Sequence, residues 1–300
     1  MEPLRFGLAG TGHWARIAHA PALSATDGIE FTAIWGRNRQ ALGDIAYEYG
    51  VSPHADFDEF LGAVDAVAFA VPPDVQSALA VRAAAKGKHL LLEKPVALTA
   101  ADADAVASAA EAAGVAALVF FTSQFQADVR TWLADVAKAG GWVGGSALWL
   151  GSALSQHSPF NTPWRRDKGG LWDLAPHLIA LLWASLGPVT SVTADAGQDD
   201  VVHLVLHHSG GASSVLTVTL AAPEEADLLE VRLWGSAGRS MAPRESGDAV
   251  VALRTALTEL AACARSGTVD HRCDVRFGRD VTLVIADAQA QIAARRLVAA

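Results

Sequence analysis

"LRFGLAGTGHWA", residues 4–15, decides the fold. An apolar run stops at Gly10, a second glycine follows at position 12, and the small Ala15 closes the pattern G-x-G-x-x-A. The run 4–10 reads as a strand and "TGHWARIAHAPAL" (11–23) as the start of a helix. In that strand-turn-helix setting each small residue has a task. Gly10 permits the tight turn, and Gly12 lets backbone N–H groups approach a pyrophosphate. Ala15 keeps the helix close to the sheet. The helix N-terminus adds its own attraction for an anion.

Working outward, strand and helix alternate. "EFTAIWG" (30–36), "AVDAVAFAV" (63–71), "HLLLE" (89–93) and "VAALVFF" (115–121) are near-continuous apolar runs. Between them lie helical stretches at 38–50, 74–87 and 99–114, with Asn38 and Thr99 as N-caps. Apolar strands separated by helices predict a parallel sheet covered on both faces. Beyond residue 122 the pattern changes. "WVGGSALWLGS" (142–152), "VTSVTADA" (189–196), "VVHLVLHHS" (201–209), "ASSVLTVTLAA" (212–222) and "DLLEVRLWGS" (227–236) read as strands, several alternating apolar and polar. "SGGAS" (209–213) between two of them is a hairpin signal. One helix is expected over 170–187, and two more near 248–265 and 274–298. The expectation is α/β plus α+β. Residues 1–121 form a dinucleotide-binding Rossmann domain with helices on both faces. Residues 122–300 form a mostly antiparallel open sheet with helices.

Bulk properties narrow the function. A net charge of −9 over 300 residues, with no basic run, argues against nucleic acid or an anionic membrane surface as partner. No apolar run reaches the length of a membrane span, and the N-terminus carries no signal-peptide pattern. Two cysteines, Cys263 and Cys273, without CxxC spacing, suit a reduced cytoplasmic setting. His203 and His207 lie about 13 Å apart along a strand and cannot share one metal ion; no metal site is expected.

The second parallel strand ends "Trp35-Gly36-Arg37-Asn38-Arg39", without the carboxylate that bonds a ribose 2′-hydroxyl. Guanidinium groups there suit a 2′-phosphate. NADP is therefore the expected cofactor, with NAD as the alternative. At the carboxyl end of another parallel strand stand Glu93-Lys94-Pro95, where open α/β sheets take ligands. Farther on, Asp173 and His177 are spaced i, i+4 and fall on one face of the predicted helix. A carboxylate, an imidazole and an ammonium are the equipment for moving a proton to or from a hydroxyl.

Together the glycine turn, "HAPAL" (19–23), "VPPDVQ" (71–76), "GKHLLLEKPVALT" (87–99), "WRRDKGGLWDLAPH" (164–177) and "CDVRFG" (273–278) resemble the glucose–fructose oxidoreductase/inositol dehydrogenase/rhizopine-catabolism (Gfo/Idh/MocA) family. The resemblance implies a catalytic group of Lys94, Asp173 and His177, and a Lys94-Pro95 peptide that is often cis in the family. It implies a dinucleotide held by Gly10, Thr11, Gly12, His13, Trp14, Gly36, Arg37, Val71, Pro72, Glu93 and Lys94, with Trp164 and Arg165 also beside it. The implied substrate is a sugar, polyol or related cyclic alcohol or ketone, and the implied assembly is a homodimer or homotetramer built on the open sheet. Because Lys94 ends a strand of the first domain and His177 belongs to a helix of the second, the substrate is expected between the domains. A dihydrodiol dehydrogenase and a dinucleotide-binding regulator or assembly partner without turnover are the alternatives. Gln124 and Ala175 stand where the family often has Arg and Gly.

Overall fold

The structure, a computed structural model, describes residues 2–244 and 248–299. It divides into two compact units. The first holds a parallel sheet of β1 (Leu4–Ala9), β2 (Ile29–Trp35), β3 (Ser52–His54), β4 (Ala66–Phe69), β5 (His89–Glu93) and β6 (Ala117–Phe120). Its order is β3-β2-β1-β4-β5-β6, so the winding reverses between β1 and β4. That is the doubly wound arrangement, with a crevice at the point of reversal. The central strands are buried on both faces. Leu8, Ile34, Val67, Phe69, Leu90, Leu91 and Val119 are all inaccessible to solvent, which is why these strands read as unbroken apolar runs.

Among the short elements that escape the sequence reading, two lie in the first unit beside β2. The edge strand β3 contains Pro53, and a proline demotes a run as strand. The helix Phe57–Gly62 has only six residues, too few for periodicity, although Asp56 caps it by accepting from Asp58 and Glu59 N–H at 2.8 and 2.9 Å.

The domain boundary differs from the expected 1–121 and 122–300. The first unit also takes back the described residues of 247–280. Helix Ala249–Ser266 buries Ala252, Leu253, Ala256, Leu257, Leu260 and Ala261, an i, i+3/i+4 stripe, against β5, β6 and the helix Ala20–Ala25. Next, Cys273 O accepts from Val119 N–H at 2.8 Å and covers the free edge of β6. Arg272 donates to Gln124 O at 2.8 Å and lies over the Phe125 ring. An amphipathic helix carries no mark of which sheet it will cover, so chain order misplaced it.

The second unit holds a sheet of β7 (Trp142–Leu150), β8 (Val189–Ala196), β9 (Val202–His208), β10 (Ser213–Thr219), β11 (Leu228–Gly235) and β12 (Gly238–Met241) in the order β12-β11-β7-β10-β9-β8. Every pairing is antiparallel except β7 with β10. Along β9, Val202, Leu204, Leu206 and His208 are buried while His203, Val205 and His207 are exposed. The buried face is covered by helix Ala175–Leu186. Inward-facing His208 is matched by Gly187 O at 2.7 Å and the Ser214 hydroxyl at 2.9 Å. The outer edge of β8 is satisfied by Gln291, which accepts from Ala194 N–H at 3.1 Å and donates to Val192 O at 2.9 Å.

The helix expected over 170–187 is two segments, Pro163–Asp173 and Ala175–Leu186, meeting at Leu174. Pro176 has no N–H for the carbonyl four residues back, and His177 N–H turns instead to Leu174 O at 3.2 Å.

Candidate active site

The glycine turn closes β1. Gly10 N–H donates to Trp35 O at 2.8 Å, and its φ of +135° is open only to glycine. A Cβ there would lie 2.3 Å from Ala70 O and 3.3 Å from Val71 Cγ1. Gly10 thus lets β1 and the end of β4 meet, and places Val71 and Pro72 beside the turn. Gly12 faces open space, with nothing within 4 Å of a Cβ position. His13 beside it is exposed. A ledge of open backbone at the start of a helix fits a pyrophosphate.

Gly36 has a steric reason as well as an electrostatic one. A Cβ on it would lie 2.4 Å from Thr11 Cγ2. Any side chain at 36 must displace the Thr11 side chain. Arg37 and Arg39 are exposed, and among the described residues neither makes an ion pair, whereas Arg16 pairs with Glu48 at 3.4 Å. Asn38 between them caps the next helix through Gln40 and Ala41 N–H, both at 3.1 Å. Two unmatched guanidinium groups at the strand tip suit a phosphate.

At the end of β5 the Lys94-Pro95 peptide is cis. The fully buried Gln76 grips this corner. Its amide nitrogen donates to Glu93 O at 2.8 Å, Val96 O at 3.2 Å and Pro95 O at 3.3 Å, while its oxygen accepts from Glu93 N–H at 2.8 Å. The Glu93 carboxylate is held from the other side. Trp14 Nε1 donates to Oε1 at 2.7 Å, and His19 Nε2 reaches the same oxygen at 2.8 Å. Trp14 and Glu93, both expected to hold a cofactor, are therefore engaged with each other.

In the second unit Arg165, expected beside the cofactor, is committed to Asp173. Nε donates to Oδ2 at 2.7 Å and Nη2 to Oδ1 at 3.4 Å. The guanidinium lies 4.7 Å from the Trp164 ring centroid and 5.4 Å from that of Phe160. Asp173 is buried, and a buried carboxylate needs such a partner. His177 is also buried, its ring 5.5 Å from that of Trp149. The helix bends at Gly169 (φ 65°, ψ −166°), and that bend lets Arg165 reach an aspartate eight residues later.

The bend is pinned by Asp200. Its Oδ2 accepts from Gly170 N–H and Leu220 N–H, both at 2.9 Å. A Cβ at Gly169 would lie 1.8 Å from Asp200 Oδ1, so glycine is required there twice over. Burial pushes the Asp200 carboxyl above the ordinary carboxylate range; the Leu220 and Gly170 donors pull it down, and nearby Asp173 adds to the rise.

Three participants were not singled out from sequence. His19 and Gln76 lie inside "HAPAL" and "VPPDVQ", where position alone assigns them no role. Asp200 follows Asp199 in a loop, both with positive φ, and nothing local marks its reach to Gly170.

A family model described as "Oxidoreductase family, NAD-binding Rossmann fold" matches residues 4–121, and one described as "GFO/IDH/MocA C-terminal domain" matches 139–240. An uncharacterized oxidoreductase, YdgJ, of Escherichia coli is 27% identical over 75% of this chain and 68% of its own length. Glucose-6-phosphate 3-dehydrogenase of Bacillus subtilis is 28% identical over 60% of this chain and 53% of its own. The match thus spans about half of that relative. The fold is that of the WlbA dehydrogenase from Bordetella pertussis, solved in complex with NADH and UDP-GlcNAcA, with a TM-score of 0.83, 21% identity and 96% coverage of both chains.

A raised pKa at Asp200 means that the folded state favours the protonated carboxyl. Its stabilising contribution is complete below the ordinary carboxylate pKa of about 4 and is lost as pH rises through the higher folded value. Asp200→Asn removes this dependence. The difference in urea midpoint between the native protein and the variant should be largest at low pH and shrink as pH rises. A difference that stays level or grows across pH 3.5–7 would contradict the assignment.

Proposed function

This chain belongs to the GFO/IDH/MocA oxidoreductase family, with an NAD-binding Rossmann fold, and we propose that it oxidises or reduces a hydroxyl-bearing carbon of a sugar, polyol or related cyclic alcohol. The observation that carries this reading lies in the first unit. The open ledge after β1 and the tightly held Lys94 after β5 both stand at the carboxyl ends of strands in one parallel sheet. When bound, the dinucleotide supplies hydride transfer at its nicotinamide. Gly10, Thr11, Gly12 and His13 would hold its pyrophosphate, with Val71 and Pro72 alongside. The sugar-phosphate and nucleotide-sugar chemistry named for the relatives above supports the substrate class.

The proton falls to the side chains. Hydride loss from an alcohol carbon must be matched by loss of the hydroxyl proton. We assign that transfer to Lys94 with His177, and to Asp173 the part of tuning and orienting them. The Arg165 guanidinium, 2.7 Å from Asp173, fixes the direction of that carboxylate. Lys94→Met should lower kcat by roughly 10²–10⁴-fold, the usual range for a general acid–base group, while dinucleotide binding persists. A screen of polyols, sugars and dihydrodiols with both cofactors supplies the assay. Native kcat in the variant on a confirmed substrate would remove Lys94 from the mechanism.

NADP is the preferred cofactor in this reading, through Arg37 and Arg39. Because Gly36 abuts Thr11, the informative variant is Arg37→Ala rather than an acidic residue at 36. Loss of one charge-assisted contact of about 1.5 kcal/mol should weaken NADPH binding roughly tenfold and leave NADH binding nearly unchanged. Tighter NADH than NADPH binding by the native protein would reverse the assignment.

The open face of the second sheet is the proposed self-association surface. Its central row runs Thr193, Val205, Val215, Ser146, Arg232, and Trp234 lies in the row beside it. Val205, Val215 and Trp234 are exposed. A weakly charged sheet face with exposed apolar side chains favours burial against a second copy. Light scattering at micromolar concentration should give at least a dimer mass, reduced by Val215→Arg. A monomer mass for the native protein would overturn it.

A further inference from the structure

The helix that follows the glycine turn opens with an α-helical bond, Arg16 N–H to Gly12 O at 3.1 Å, and then widens. Over Ala15–His19 it makes one wide turn, closed by Ala20 N–H donating to Ala15 O, five residues back. Such turns are rare and concentrate at functional positions. The consequence is angular. In an α-helix, residues 14 and 19 would project about 140° apart. In the wide turn they come to one side, with rings 6.5 Å apart and nearly perpendicular, and both reach the same oxygen of Glu93.

His19 is one per cent exposed and packs edge-on to Phe120 of β6, 6.5 Å away. Its Nε2 meets Glu93, and its Nδ1 is buried with no partner among the described residues. A buried imidazole with an unmatched nitrogen carries a cost, and the bond to Glu93 is what it obtains in return. The Glu93 side chain is itself only 13% exposed, and those two donors hold its Oε1 in place.

We propose that Trp14 and His19 are positioning residues that act through Glu93 on Lys94. The clamp ties the first turn of the glycine-motif helix to the end of β5. It holds the Glu93 carboxylate away from the ammonium of the next residue, so that the lysine keeps its direction. Gln76 fixes the backbone of the same corner, and the clamp fixes the charge. This inference rests on the role given to Lys94 above.

The test compares His19→Leu, which removes the donor, with His19→Gln, whose amide nitrogen can replace Nε2. Trp14→Phe keeps a ring and loses the indole N–H, and serves if His19→Leu does not fold. The first readout needs no substrate. Lys94 is partly exposed, so an amine-reactive reagent followed by peptide mass spectrometry gives its labelling rate. In His19→Leu the carboxylate turns to the ammonium, and Lys94 labelling should slow several-fold. His19→Gln should restore most of the native rate. The second readout is kinetic: kcat should fall at least tenfold in His19→Leu with the dinucleotide Kd changed less than threefold. Unchanged Lys94 labelling in both His19→Leu and Trp14→Phe would overturn the clamp, as would equal defects in the leucine and glutamine variants. Lys94→Met, assayed alongside, separates the two claims. If it turns over normally, the mechanism fails while the labelling result still decides the clamp.

Discussion

The first unit depends on a close approach of backbone to backbone. At Gly10 the chain leaves β1 within van der Waals range of Ala70 O at the end of β4, and no residue with a Cβ could pass there. β1 is the strand from which the sheet winds both ways. Because the turn is that tight, the helix after it starts at once, and its first turn lies near the end of β5. The wide turn then directs Trp14 and His19 onto Glu93. Anion ledge, strand tip and lysine are consequences of one steric constraint.

A similar economy governs the second unit. Gly169 gives up helical geometry, and Asp200 fills the space a side chain would need while capping the helix that restarts at Gly170. The bend brings Arg165 back to Asp173. Three carboxylates, the buried Asp173 and the partly buried Glu93 and Asp200, each have their donors supplied. Glu93 has an indole and an imidazole, Asp173 a guanidinium, and Asp200 two backbone N–H groups. The environments differ in kind. A guanidinium favours ionisation strongly, whereas backbone donors only partly offset the burial of Asp200. One carboxylate is locked to a side chain eight residues away, and another holds the bend of the helix.

Much of this was legible in the chain alone. The buried strands of the first sheet announce themselves because both faces are covered, and the alternation of β9 announces a sheet covered on one. Asn38 and Thr99 cap the helices they precede, since a cap is a local hydrogen bond between near neighbours in sequence. Gly10, Gly12 and Lys94 stood out because turn and strand end are also local, whereas Asp173 and His177, expected on one helix, end one segment and enter the next. The family resemblance then assigned their roles.

What sequence could not determine was every feature that depends on groups distant along the chain. The return of Ala249–Ser266 to the first sheet is set by which apolar surface remains uncovered, and that is known only once the sheet exists. Trp14 and His19 meet Glu93 across more than seventy positions, through a wide turn that no propensity encodes. Pro176 was visible, but the break at Leu174 required knowing how His177 N–H would be satisfied. Gly36, which the resemblance sets at the dinucleotide, is also clearance for Thr11. Local hydrogen bonds and periodicity are written in neighbouring residues; the partners of buried charges are chosen by packing, and only the tertiary structure decides them.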